Sequence, residues 1–439
     1  MKRLLENRLL QWKDDPARKP LIIHGARQIG KTHTAMEFGA NYYASVAYFF
    51  FDNNPDLCEY FESGISSIKS LITKLEANIN MTIMPEKTLI IFDEIQACPA
   101  ALTSLKRFQE TAPGYHIIAI GSLLGVALSR TANGTERHYS FPVGRVDELN
   151  MYPFNFEEFL LEFNPKLIPL IKESFDNDTP LANGLHKEAL ELFLRYLVIG
   201  GMPEAILEYI KTNNYTLVKA KQLSICNNYI LDMNKYTDTK TQAIKNEAVY
   251  NTLPSQLAKE NRKFQYALIK SGARANDYEL SLNWLKKAAV IIKCNKVNEG
   301  KEPLASYEDF LSFKVYMSDV GLYAAKSNNS HLSILGRTMG DTAKGALTEN
   351  YIAQELNANG FEFYYWESNN QAEIDFVIQI ENKIIPIEAK SWENVRSQSL
   401  ESFRKKYNIE KAIRVSARNF GLQNGIKSIP LYAVWCIAQ

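Results

Sequence analysis

The sequence predicts an α/β chain with a parallel-sheet domain at the N-terminus, a largely helical middle and a second α/β domain at the C-terminus. Three observations carry this. Gly25-Ala26-Arg27-Gln28-Ile29-Gly30-Lys31-Thr32 sits between a short apolar run and a helical stretch. Thr88-Leu89-Ile90-Ile91-Phe92 is an apolar run that ends in Asp93-Glu94. Near the other end, Ala372–Ile378 alternates like a strand, and Ile384–Lys390 follows it across a turn. These divide the chain at about 1–155, 156–330 and 331–439.

Bulk properties set the frame. At 439 residues and 46% hydrophobic composition the chain can fill two or three cores. A net charge of +1 gives no global attraction to nucleic acid or anionic membranes, so any such contact must come from a local patch. The five cysteines (Cys58, Cys98, Cys226, Cys294 and Cys436) are odd in number and widely spaced, without metal-ligand spacing. A reducing cytoplasm is the expected compartment. Glu6 interrupts what would be the apolar core of a signal peptide. The longest nearly uncharged apolar run, Ile117–Leu128, is too short to span a bilayer. No membrane association is expected.

The glycine-rich segment fits G-x-x-x-x-G-K-[ST], a loop whose backbone N–H groups ring phosphates. Pro20–His24 before it reads as a buried strand, and Thr32–Phe38 after it as a helix stopped by Gly39. That order is the context the motif needs. Gly25, Ala26, Arg27, Gln28, Ile29 and Gly30 would line the phosphates, and the helix N-terminus adds positive potential. Lys31 would reach the β- and γ-phosphates, and the Thr32 hydroxyl would ligate Mg²⁺. Asp93-Glu94 closes a buried parallel strand about 60 residues later. Asp93 is expected in the Mg²⁺ shell, and Glu94 is expected to polarise the attacking water.

Further strands are expected at Val46–Phe51, before the turn cluster Asp52-Asn53-Asn54-Pro55, and at His116–Ile120, before Gly121-Ser122. Ser122 is a candidate γ-phosphate sensor or a helix N-cap. In parallel α/β sheets ligands bind beyond the strand C-termini, where all three elements fall. Arg130, Arg137 and Arg145 are candidates for transition-state charge stabilisation, in cis or in trans. Arg145, in the Gly-marked turn Phe141–Val146, is the chosen candidate; a surface role is the alternative.

With these blocks together, the chain resembles a widespread prokaryotic AAA-family ATPase that carries a C-terminal domain of unknown function with a restriction-endonuclease-like core. The resemblance rests on the loop, on Phe92-Asp93-Glu94-Ile95-Gln96, Gly121-Ser122, Gly144-Arg145-Val146 and Tyr152–Phe159, and on Tyr196–Glu204. It implies ATP as the nucleotide. The sequence also lacks the Asn-Lys-x-Asp guanine-reading motif. A homo-oligomer is a further candidate state.

In the middle region, Glu157–Arg195 has helical spacing of Leu and Phe. Gly200-Gly201-Met202-Pro203 breaks it, as a hinge or a plain helix–helix turn. Leu253–Lys259 and Tyr278–Lys287 read as helices and Ala289–Cys294 as a strand, resembling a winged helix-turn-helix. Between them Lys259–Arg274 holds five cations (Lys259, Arg262, Lys263, Lys270 and Arg274) against Glu260. That is either a phosphate-contacting patch for DNA or a solvated basic face.

At the C-terminus Glu388 and Lys390 are two apart and so share a strand face. A hairpin through Glu381-Asn382-Lys383 would bring Asp375 beside them. Two carboxylates and a lysine at one place suit a Mg²⁺ nuclease, with Asp375 and Glu388 on the metal and Lys390 beside the attacking water. Glu349, on a helix expected over Gly345–Leu356, is a candidate further ligand. This resembles the D-(x)n-[DE]-x-K core of restriction-endonuclease-like folds, with Ile374 where proline often stands. The alternative is an inherited fold whose acids are structural. The reading is therefore an ATPase coupled to nucleic-acid processing, against an ATP-gated switch or scaffold that binds protein or DNA without cutting.

Overall fold

A computed structural model describes every residue except 63–66, 122–140, 238, 261, 369–371, 391–397 and 439. The chain forms two compact units, Arg3–Tyr152 and Pro153–Gln439, the latter joined by Met1–Lys2.

The N-terminal unit runs α1 (Leu5–Asp14), β1 (Leu21–His24), α2 (Lys31–Tyr42), β2 (Ser45–Phe50), α3 (Pro55–Glu62), α4 (Ile68–Ile79), β3 (Thr88–Asp93), α5 (Pro99–Thr111), β4 (His116–Ile120) and β5 (Asp147–Asn150). Its five strands are all parallel, in the order β2-β3-β4-β1-β5. Every residue of β3 and β4 is buried. These strands have helices on both faces, so they read as continuous apolar runs instead of alternating ones. Ile90, Phe92, Leu105 and Phe108 belong to one core with Phe49 and Phe61. Each large side chain so buried contributes roughly 2 kcal/mol.

In this unit the strand expectations hold to within a residue, whereas in the second unit the strand expected over Ala289–Cys294 runs over Ile291–Val297; α2 also differs. It continues through Gly39 to Tyr42. Gly39 is a packing residue there: a Cβ would stand 2.5 Å from Val46 Cγ2 on the strand beneath. Close helix–sheet approach outweighs the modest helix cost of glycine.

The second unit begins with helices Phe156–Phe163, Leu167–Asn177, Asn183–Ile199, Pro203–Thr212, Tyr215–Lys235, Lys240–Leu257 and Ala275–Lys287. The Gly200–Pro203 segment is the break between two of them. It is tied down, since Gly201 N donates to Asp319 Oδ2 at 2.6 Å and Gly201 O accepts from Phe154 N at 2.8 Å. Next come β6 (Ile291–Val297), β7 (Glu308–Met317), the helix Asp341–Ala358, β8 (Phe363–Ser368), β9 (Ala372–Ile380), β10 (Lys383–Ala389), the helix Gln398–Tyr407, β11 (Ala412–Ser416), β12 (Gly421–Gln423) and β13 (Ile426–Pro430).

These strands form one mixed sheet in the order β12-β13-β11-β10-β9-β8-β6-β7. The sequence division near 330 therefore runs through a shared sheet: β6 pairs with β7 and also with β8. Trp366 packs against Phe403 of the helix Gln398–Tyr407, with ring centroids 4.9 Å apart. The helix Asp341–Ala358 packs on β6, β7 and β10. Among the described residues no helix is long and apolar enough to cross a membrane.

Candidate functional sites

The phosphate loop leaves β1 at its C-terminal end and enters α2, as its motif requires. Gly25 has φ 139° and Gly30 φ 92°, values that a residue with a Cβ adopts only under strain. Ile29 is fully buried and anchors the loop from below. Lys31 is buried, and its Nζ donates to Gly25 O at 2.9 Å and Ala26 O at 2.6 Å. Burial pushes the Lys31 amine down to about 8, while Glu94 and Asp93 pull the other way. The lysine is thus held inside the loop by two neutral acceptors, which a phosphate oxygen can replace with a stronger charge-assisted bond.

Strand register brings the second element to the same edge. Thr32 Oγ1 donates to Asp93 Oδ2 at 2.7 Å, and Glu94 N donates to Asp93 Oδ1 at 2.9 Å. Tyr48 OH on β2 also donates to Asp93 Oδ2, at 2.9 Å. The sequence reading missed Tyr48, although a tyrosine in an otherwise apolar strand beside β3 was the available cue. Glu94 sits at φ 51°, which turns it out of the strand, and its carboxylate accepts from Gln96 Nε2. The Asp-Glu-Ile-Gln run therefore supplies its own orienting amide.

Two other expectations fare differently. Ser122, Arg130 and Arg137 lie outside the described residues. Arg145 does not join the site. It precedes β5, whose Asp147 pairs with Leu21 at the start of β1. The loop follows His24 at the other end, about 13 Å away along a four-residue strand. Arg145 instead contacts Gln109 Oε1 at 3.3 Å and Glu110 Oε1 at 3.4 Å, at the end of α5. Within one chain it cannot serve its own phosphate loop.

In the second unit the expected hairpin is present. Ile387 pairs with Phe376 across β10 and β9, and one step further Glu388 stands opposite Asp375. Asp375 Oδ2 accepts from Ala389 N at 2.8 Å, and Lys390 Nζ meets Glu388 Oε1 at 2.9 Å. Glu349, on the helix Asp341–Ala358, shares a hydrogen bond with Asp375. The four residues are thus gathered by the fold.

Their surroundings were not foreseen. Glu349 Oε1 is ion-paired to Arg262. Its Oε2 accepts from Tyr316 OH at 3.1 Å and lies 3.5 Å from Lys314 Nζ. Lys314 is fully buried and also pairs with Glu373 at 2.6 Å. Burial alone would raise the Glu349 carboxyl, but Lys314 and Arg262 outweigh it and hold its pKa below the usual value. Burial and the adjacent Glu349 charge push Asp375 well above the carboxylate range.

A divalent ion on Glu349, Asp375 and Glu388 does not fit this arrangement, which corrects the expected ligand set. Arg262 and Lys314 already pair with Glu349 and Lys390 with Glu388, and among the described residues no group of three His, Cys, Asp or Glu side chains has metal-holding geometry. Glu388 Oε2 is the one oxygen of this set left buried without a hydrogen-bond partner among the described residues. The basic stretch is likewise less free than its composition suggests: Arg262 is turned inward to Glu349, and Lys263 pairs with Glu367 at 2.5 Å.

The N-terminal sheet and loop define a P-loop nucleotide-binding domain of the ATPase class. Residues 17–160 match the family model described as an AAA domain. Residues 190–333 and 344–434 match two models described only as domains of unknown function, DUF8612 and DUF4143. No curated protein matches the chain. Among solved structures, the Walker-type ATPase PABY2304 of Pyrococcus abyssi is 15% identical over 74% of this chain and 95% of its own, with a TM-score of 0.41. The Aeropyrum pernix ORC1 protein in complex with DNA is 13% identical over 77% and 95%, with a TM-score of 0.25. AMPPCP-bound DnaA from Aquifex aeolicus is 14% identical over 65% and 86%, with a TM-score of 0.28. Likenesses this distant say nothing of what this chain binds.

Proposed function

We propose that the N-terminal unit binds and hydrolyses ATP with Mg²⁺, and that this cycle acts on nucleic acid through the second unit. The observation that carries the ATPase reading is the convergence of Lys31, Thr32, Asp93 and Glu94 at one sheet edge. The donor set there fits Mg²⁺: a hydroxyl and a carboxylate oxygen 2.7 Å apart are hard ligands beside the phosphate loop. When bound, the ion would offset the negative charge of the phosphates. Loop amides and Lys31 would hold the phosphates, Thr32 and Asp93 would hold the ion, and Glu94, fixed by Gln96, would orient the attacking water. In this reading Arg145 serves only the phosphates of a neighbouring copy in a homo-oligomer.

Two features support the nucleic-acid reading. The helices Lys240–Leu257 and Ala275–Lys287, followed by the antiparallel pair β6–β7, have the element order of a winged helix. The β9–β10 hairpin and helix Asp341–Ala358 gather Asp375, Glu388, Lys390 and Glu349 as a restriction-endonuclease-like core would. A second reading, an ATP-gated switch that binds without cutting, is favoured by one observation: Glu349 is occupied by Arg262 and Lys314.

ATP turnover with and without duplex DNA tests the assignment. Glu94→Gln should retain ATP binding, because Thr32 and Asp93 remain, and lose turnover by about 100-fold or more. Loss of binding instead would show Glu94 misassigned. Stimulation of wild-type turnover by DNA is expected; indifference to DNA favours a protein partner.

A further inference from the structure

We infer that Arg262 is a built-in plug of the C-terminal carboxylate site, exchanging between Glu349 and a nucleic-acid phosphate, so that the site accepts a divalent cation only when Arg262 is drawn out. The inference rests on the restriction-endonuclease-like reading above. It concerns how the site is closed, not whether it cuts.

Three observations separate Arg262 from the other cation. Lys314 belongs to β7, is fully buried, and touches both Glu349 and Glu373, so it is part of the sheet. Arg262 comes from the connection after the helix Lys240–Leu257, retains 16% side-chain exposure, and sits at φ 49°, a strained value for a residue with a side chain. Its Nε is buried with no hydrogen-bond partner, so the guanidinium is only partly satisfied where it lies.

The slot it occupies is specific. A Cβ at Gly345, one helical turn before Glu349, would stand 2.2 Å from Arg262 Nη2. Glycine at that position is what lets the guanidinium reach the carboxylate. The adjacent Lys263 is held in the same way by Glu367. Two carboxylates thus hold neighbouring cations of the most basic stretch of the middle region. A phosphate backbone presents the same anionic oxygens and would compete for both. A guanidinium pairs bidentately with phosphate, which makes Arg262 the residue to be transferred. Its departure would free Glu349 Oε1 beside Asp375, with the unpartnered Glu388 Oε2 on the next strand.

The test is calorimetric titration of Mn²⁺ into the full chain without nucleotide. Arg262→Met removes the charge while keeping most of the packing. Gly345→Ala keeps Arg262 but blocks its seat, and favours the helix. Both variants should bind Mn²⁺ at least 10-fold more tightly than wild type, and adding Glu349→Gln should abolish the gain. Gly345→Ala should also bind a short DNA duplex more tightly, with a salt dependence steeper by about one released ion, whereas Arg262→Met should not. Thermal melts identify a variant that fails to fold, and the other then decides. Equal Mn²⁺ affinity in wild type and both variants overturns the plug, as does tight wild-type binding. Tighter Mn²⁺ binding without plasmid nicking upholds the plug and sinks the nuclease reading alone.

Discussion

The two candidate sites each hold a buried lysine beside carboxylates, yet they are built in opposite ways. At the phosphate loop, Lys31 rests on two backbone carbonyls and the nearby carboxylates are bonded to a hydroxyl and an amide. When phosphate arrives, Lys31 exchanges two neutral backbone acceptors for a charged one. At the C-terminal site, Lys314 and Arg262 are pinned directly to Glu349. A ligand must break buried ion pairs to enter. The first site is poised for an anion, and the second is satisfied by the protein itself.

That contrast can be broken by removing the lysine from each site. Lys31→Ala should abolish ATP binding, with a loss of about 100-fold or more and the fold kept, because its partners are carbonyls that water can serve. Retained affinity would mean the loop is not the nucleotide site. Lys314→Met should instead cost stability, about 3–5 kcal/mol, by breaking a buried pair and leaving the buried Glu349 with Arg262 as its one remaining cation among the described residues. Chemical denaturation measures it, and a loss under about 1 kcal/mol would show the pairs to be solvated.

The pH dependence sharpens the difference. Burial holds the free Lys31 amine at about 8. Below that value it is charged and ready for phosphate. Above it, binding must take up a proton, so ATP affinity should fall by up to about 10-fold per pH unit. A flat affinity from pH 7 to 9.5 would contradict this. The smallest expected effect is at Arg145. Its partners Gln109 and Glu110 lie at the far end of the sheet, so Arg145→Ala should leave ATP affinity within about twofold and stability within about 1 kcal/mol. A larger turnover loss that grows with protein concentration would indicate action across copies.

Much of the first site was legible because its geometry is local. Gly25 and Gly30 specify the loop's backbone, and an apolar run ending in Asp93-Glu94 specifies a buried strand tip. The β9–β10 hairpin was legible for the same reason, since alternation fixes which of Asp375, Glu388 and Lys390 share a face. What escaped depends on long-range packing. Gly39 reads as a helix stop in sequence and serves as a contact to Val46 in the fold. Arg262 meets Glu349 across 87 residues, and nothing local distinguishes it from the other cations of its stretch. Lys314 left a trace: a lone lysine within Phe313–Met317, an otherwise apolar run, signals a buried partner. Arg145 looked catalytic because a motif gives order along the chain, while strand direction decides which end of the sheet a residue occupies.

The contrast between the two sites is tested most directly by counting Mn²⁺ ions bound to the wild-type chain, with and without a non-hydrolysable ATP analogue. The arrangement of Thr32 and Asp93 against that of Glu349 predicts one ion per chain in the presence of nucleotide and no tight site in its absence. A tight ion bound without nucleotide, and lost in Glu349→Gln, would contradict it.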